Sequence, residues 1–119
     1  MRVNLDDTTT DETGTYRMYD GAPFTGEVVE TAMDGTVVGL VTYQDGLERG
    51  PQREWYYDGQ LRSEYVDLDG DRPAAVYQEW HENGRLAARK EFDRHGTLRK
   101  QEVWTEDGTP IPEQAVDNW

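Results

Sequence analysis

An Asp, Asn or His followed by Gly recurs along the chain, with the glycines at Gly21, Gly35, Gly46, Gly59, Gly70, Gly84, Gly96 and Gly108. Successive glycines stand 14, 11, 13, 11, 14, 12 and 12 residues apart, so alternate ones mark a unit of about 24 residues. Six of the eight dipeptides are Asp-Gly and one is Asn-Gly, strong hairpin signals because Gly enters the left-handed region without strain. Turn signals this close together demand short antiparallel strands. No segment holds a helical period, and Pro23, Pro51, Pro73, Pro110 and Pro112 fall between the apolar runs. The expected fold is all-β: an antiparallel meander of repeated hairpins in one twisted, curled, solenoid-like sheet.

A finer rule sits inside the ladder. An aromatic residue precedes Gly by four positions and an apolar one follows by two, in Trp55…Gly59…Leu61, Trp80…Gly84…Leu86 and Phe92…Gly96…Leu98; Trp104…Gly108…Pro110 is an imperfect copy. A type I turn closed by a left-handed Gly would set Trp55 opposite Leu61, Trp80 opposite Leu86 and Phe92 opposite Leu98. Strict alternation then puts Tyr65, Val76, Ala88, Leu98 and Trp104 on that same face. Glu54, Arg62, Glu64, Tyr77, Glu79, His81, Arg85, Arg89, Glu91 and Arg99 take the other, with Glu54 opposite Arg62. A flat sheet with one wet aromatic face would aggregate, so that face is expected to curl inward on itself.

At 119 residues the chain is one domain, and a hydrophobic share of 34% gives it a lean core in which 4 Trp, 7 Tyr and 2 Phe must do much of the packing. Residues 1–15 read as a flexible acidic lead-in, 16–109 as the repeat domain and 110–119 as a capping tail, with Trp119 folding over the last edge. Twenty-five acidic residues against 12 basic leave a net charge of −13. Such a surface repels nucleic acid and anionic lipid and speeds encounter with a basic partner. With no Cys there is neither a disulfide frame nor a thiolate metal site. No signal peptide and no membrane span are read, so a soluble cytoplasmic protein is expected.

The run Asp45-Gly46-Leu47-Glu48-Arg49-Gly50-Pro51-Gln52-Arg53-Glu54-Trp55-Tyr56-Tyr57-Asp58-Gly59-Gln60-Leu61-Arg62-Ser63-Glu64 resembles the MORN-repeat variant of bacterial YwqK-like antitoxins. Gln78-Glu79-Trp80-His81-Glu82-Asn83-Gly84-Arg85-Leu86 is similar to a second copy, and Phe24-Thr25-Gly26-Glu27-Val28 to the opening of a unit. The likeness covers about residues 22–108, and Trp104-Thr105-Glu106-Asp107-Gly108-Thr109-Pro110 departs from it. It implies a stacked-hairpin architecture and a toxin-neutralising role as an antitoxin or immunity protein, with no catalytic motif to transfer. The wider repeat family also implies the alternative of a structural or membrane-associated scaffold.

Trp55, Trp80, Phe92 and Trp104 are expected in the core. The partner-binding candidates are Tyr56, Tyr77, Glu79, His81, Glu82, Arg85 and Glu91, since aromatic residues and Arg carry most interface energy and acids steer a basic partner in. His81 and His95 are too few for a zinc site. Asp67, Asp69 and Asp71 have calcium-loop spacing, but Arg72 stands where Gly is needed and Gln78 where Glu is needed. No nucleophile–base pair, phosphate loop or metalloprotease motif occurs, so no catalytic residue, metal or cofactor is expected. The expected function is non-catalytic: occlusion of a basic toxin domain.

Overall fold

The computed structural model describes residues 1–68, 70 and 72–112. Eight strands form one sheet: β1 (Arg2–Asn4), β5 (Gly26–Thr31), β6 (Val37–Gln44), β7 (Leu47–Trp55), β8 (Leu61–Asp67), β9 (Ala75–Trp80), β10 (Leu86–Phe92) and β11 (Leu98–Val103), side by side in that order. Strands β5 to β11 are an antiparallel meander, and β1 runs parallel to β5 at one edge. The short strands β2 (Thr9–Thr10), β3 (Arg17–Tyr19) and β4 (Ala22–Pro23) form a second sheet. A 3-10 turn spans Leu5–Asp7.

The turns follow the sequence ladder. Gly35, Gly59, Gly84, Gly96 and Gly108 have φ between +81° and +90°. In all five turns the Gly N–H donates to the carbonyl three residues back, and that same residue bonds the one after Gly. These are type I turns closed by a left-handed Gly. Asp20-Gly21 and Asp45-Gly46 are instead two-residue turns with both φ positive, at 52° and 81° and at 52° and 86°. Gly70 lies in a longer loop that Leu68 N–H closes on the Ala74 carbonyl.

Trp55 pairs with Leu61, Trp80 with Leu86 and Phe92 with Leu98, as the motif requires. The alternation beyond those pairs does not hold. The turns at Gly35, Gly59, Gly84 and Gly96 each carry one inserted residue on the following strand: Val38, Arg62, Ala87 and Arg99. Glu54 therefore opposes Ser63, not Arg62, and Arg53 opposes Glu64. The insertion flips every later side chain to the other face. Tyr65 and Tyr77 are direct neighbours on one face, which also carries Glu54, Ser63, Glu79 and Ala88. Arg53, Glu64, Gln78, Arg89 and Glu102 share the other. Since neither face is uniformly aromatic, nothing drives the sheet to close, and it is open rather than curled. The chain's extents are 48 × 35 × 21 Å, and its radius of gyration of 16.4 Å exceeds the roughly 13–14 Å of a compact chain this long.

The core sits at the N-terminal end. Val3, Phe24, Val28 and Tyr43 form a buried cluster, against which Leu5, Tyr19 and Val41 pack. The Tyr19 and Phe24 rings meet edge-on, 5.6 Å apart at 69°. Register puts Val3, Val28, Val41 and Tyr43 on the Tyr65–Tyr77 face, hereafter the inner face, with the small sheet against it. Residues 1–15, expected as a lead-in apart from the domain, thus supply an edge strand and a core residue. Gly26 is what lets β1 dock: its φ is +142°, and a Cβ there would lie 2.4 Å from the Met1 carbonyl. At the other end Pro110 bridges Trp104, and Ile111 N–H donates to the Val103 carbonyl at 2.8 Å. Asp69, Asp71 and residues 113–119 of the tail, Trp119 among them, lie outside the described residues.

Candidate functional site

Among the described residues the small sheet pairs with none of β5 to β11, and two rows of side chains cross the inner face. One runs Glu30, Gly39, Glu54, Ser63, Glu79 and Ala88; the other runs Val28, Val41, Gln52, Tyr65, Tyr77 and Lys90. Gly39 and Ser63 are small, and a cleft of about 240 Å³ opens above them. Leu5, Val28, Val41 and Tyr43 wall its core end, Tyr65 and Tyr77 its far end, and Glu30, Glu54 and Gln52 supply polar groups.

The polar groups are ordered. The buried Ser63 hydroxyl donates to Glu54 Oε1 at 3.0 Å, and the Tyr77 hydroxyl to Glu79 Oε2 at 3.1 Å. Burial pushes the Tyr77 hydroxyl above its ordinary pKa, with the charge and hydrogen bond of Glu79 adding to it and the Glu54 charge contributing less. Tyr65 is raised the same way, by burial and then by Asp67. Lys90 Nζ stands 5.8 Å from the centre of the Tyr77 ring. Arg53 contributes to the lining, but its guanidinium pairs with Glu64 Oε2 at 2.7 Å, among outer-face residues.

The candidates named from sequence fall into three places. Tyr77 lines this cleft, and Glu79 holds its hydroxyl from the same face without lining the cleft. Glu91 is on the outer face, buried, and bound to Arg89 at 2.6 Å. Tyr56, His81, Glu82 and Arg85 lie at the turns along one end of the sheet, where they serve mainly to stitch neighbours together. The Tyr56 hydroxyl donates to the Trp80 carbonyl at 2.7 Å, and His81 Nε2 to the Trp104 carbonyl at 3.0 Å. Arg85 reaches the Asp107 carbonyl at 2.5 Å and Asn83 the Glu106 carbonyl at 2.8 Å. Glu82 is exposed at the turn tip. Glu30, Gln52, Ser63 and Tyr65, which line the cleft, were not among the candidates; counting the residue that each type I turn inserts would have placed Tyr65 beside Tyr77.

No group of three or more His, Asp or Glu is arranged to hold a metal among the described residues. No helix there is long and apolar enough to cross a membrane. No protein-family model, curated protein or solved structure matches the chain.

Proposed function

We propose that this chain is a non-catalytic protein-binding module, an antitoxin or immunity protein of the MORN-repeat type, that occludes a basic toxin domain in the bacterial cytoplasm. The observation that carries the reading is the ordered acidic, tyrosine-lined cleft on the half of the inner face that the small sheet leaves open. A net charge of −13 supports it, because an acidic surface steers a basic domain and accelerates encounter. A toxin that acts on nucleic acid needs a basic cleft, and an acidic protein seated there would compete with the substrate's phosphates. Four hairpins with the same turn and the same one-residue insertion favour the solenoid-like repeat reading that the family resemblance implies.

The test is capture of the tagged full chain's partner from the native host at low salt, followed by a wash at high salt. A stoichiometric protein with a basic domain, released by salt and inactivated when mixed with this chain, is the expected result. Recovery of anionic lipid alone would replace the reading with a membrane scaffold. A partner that is retained through high salt and lacks a basic domain would overturn the electrostatic mechanism.

A further inference from the structure

Resting on the cleft as the contact site, we infer that it receives one arginine side chain projected by the partner. Size is the first argument. At about 240 Å³ the cleft lies below the roughly 300–1,000 Å³ of small-molecule pockets and suits a single inserted side chain. Aromatic chemistry is the second, because this chain already sets its own cations on the tyrosines of the cleft. Lys90 Nζ lies 5.8 Å from the Tyr77 ring centre, and the Arg17 guanidinium carbon 5.9 Å from that of Tyr43.

Acceptor geometry is the third. Glu54, which lines the cleft, already takes the Ser63 hydroxyl, and Glu79, beside the cleft on the same face, takes that of Tyr77, which fixes both carboxylates. A carboxylate has about four acceptor positions, so each keeps capacity for an incoming donor. A guanidinium is planar, meets a carboxylate through two parallel N–H groups, and stacks on a tyrosine ring; a lysine ammonium can do only part of this. The floor is open because Gly39 has no side chain and Ser63 a short one.

The experiment is an NMR titration of the full chain with a capped Gly-Arg-Gly peptide, run against the same peptide carrying citrulline, which keeps the shape and loses the charge. The arginine peptide is expected to shift the amides of Ser63, Tyr65 and Tyr77, and the citrulline peptide to leave them in place. Glu54→Gln is expected to weaken binding about tenfold, the loss of one charge-assisted pair. Gly39→Leu is expected to abolish binding while preserving the fold, since a Cβ at Gly39 meets Glu30 Cβ at an ordinary 3.5 Å and its φ is not positive. No binding, equal binding of the citrulline peptide, shifts confined to the turn end or outer face, or binding unchanged by Gly39→Leu would each overturn the inference. If Gly39→Leu abolishes peptide binding but still captures a basic partner, the arginine anchor fails and the protein-binding reading stands. If the peptide binds as expected and no basic partner exists, that reading fails and the cleft remains a guanidinium site.

Discussion

Strands β5 and β6 and strands β8 to β11 belong to one sheet and share one type of turn, yet they are held by different forces. Around β5 and β6 the buried hydrophobic residues are Val3, Phe24, Val28, Val29, Leu40 and Tyr43; along β8 to β11 they are only Ala75, Val76 and Ala88. The second region relies on polar links: Arg53–Glu64 at 2.7 Å, Arg89–Glu91 at 2.6 Å, Arg99–Asp93 at 3.2 Å and Lys100–Glu102 at 3.8 Å. Partly exposed pairs of this kind contribute about 0–1 kcal/mol each, whereas a fully buried large apolar side chain contributes about 1.5–3 kcal/mol. Stability is thus concentrated at the N-terminal end. The cleft spans both regions, its core end walled by Leu5, Val28, Val41 and Tyr43 and its far end by Tyr65 and Tyr77.

The largest effect expected from this contrast is at Phe24. Its ring is buried between the two sheets, and Phe24→Ala should cost about 3–5 kcal/mol in urea unfolding. Leu86→Ala, at a half-buried position opposite Trp80 in the open half, should cost about 1 kcal/mol. Equal costs would erase the distinction between the halves.

The hairpins were legible because a turn needing a left-handed residue at a fixed place can hardly be built without Gly or Asn, so the ladder survives in the letters. The faces were not. Arg62 and Ala87 look like ordinary members of an alternating strand, and only the register shows them as insertions. Strict alternation therefore groups Tyr77 and Glu79 with His81 and Arg85, which point their polar atoms at the next turn, whereas the register sets Tyr77 beside Tyr65 and Glu79 beside Ser63 on the inner face. The small sheet was invisible for another reason: strands such as Thr9–Thr10 and Ala22–Pro23 are too short to carry a period, and their order comes from Phe24 and Tyr19 packing on the main sheet.

A smaller effect tests the stitches between turns. Removing one hydroxyl by Tyr56→Phe should cost about 1 kcal/mol, because the Trp80 carbonyl loses its donor while the ring remains beside Arg62. Ala32 occupies the corresponding place in the first hairpin and has no side-chain donor. Ala32→Tyr should then return up to about 1 kcal/mol by reaching the Trp55 carbonyl, read as a rise in the thermal midpoint. No gain there would mean that the stitches depend on the neighbouring turn's shape as well as on the donor.

The smallest effect is acid sensitivity, and it should divide the halves by pH. The Thr105 and Thr109 hydroxyls and the Thr109 N–H hold Asp107 from its ordinary 3.8 down to about 2. Asp58 is lowered by the Gln60 backbone and side chain, Asp93 chiefly by the Thr97 N–H, and Asp34 by Thr36. A carboxyl with a depressed folded pKa stabilises fully above its unfolded value and loses that contribution as pH falls through the folded one, which for Asp107 means from about 4 to about 2. Three of these four turns lie beyond β7. Amide protection, measured against the intrinsic exchange rate at each pH, should therefore fall in β10 and β11 on acidification before it falls in β5 and β6, whose cluster contains no carboxylate. Asp58→Asn keeps the acceptor for the Gln60 N–H but does not titrate, so it should flatten the pH dependence around its own hairpin and leave stability at neutral pH nearly unchanged. If β5 and β6 opened first, the carboxylates near the core rather than those in the turns would govern acid unfolding, and the contrast between the halves would reverse at low pH.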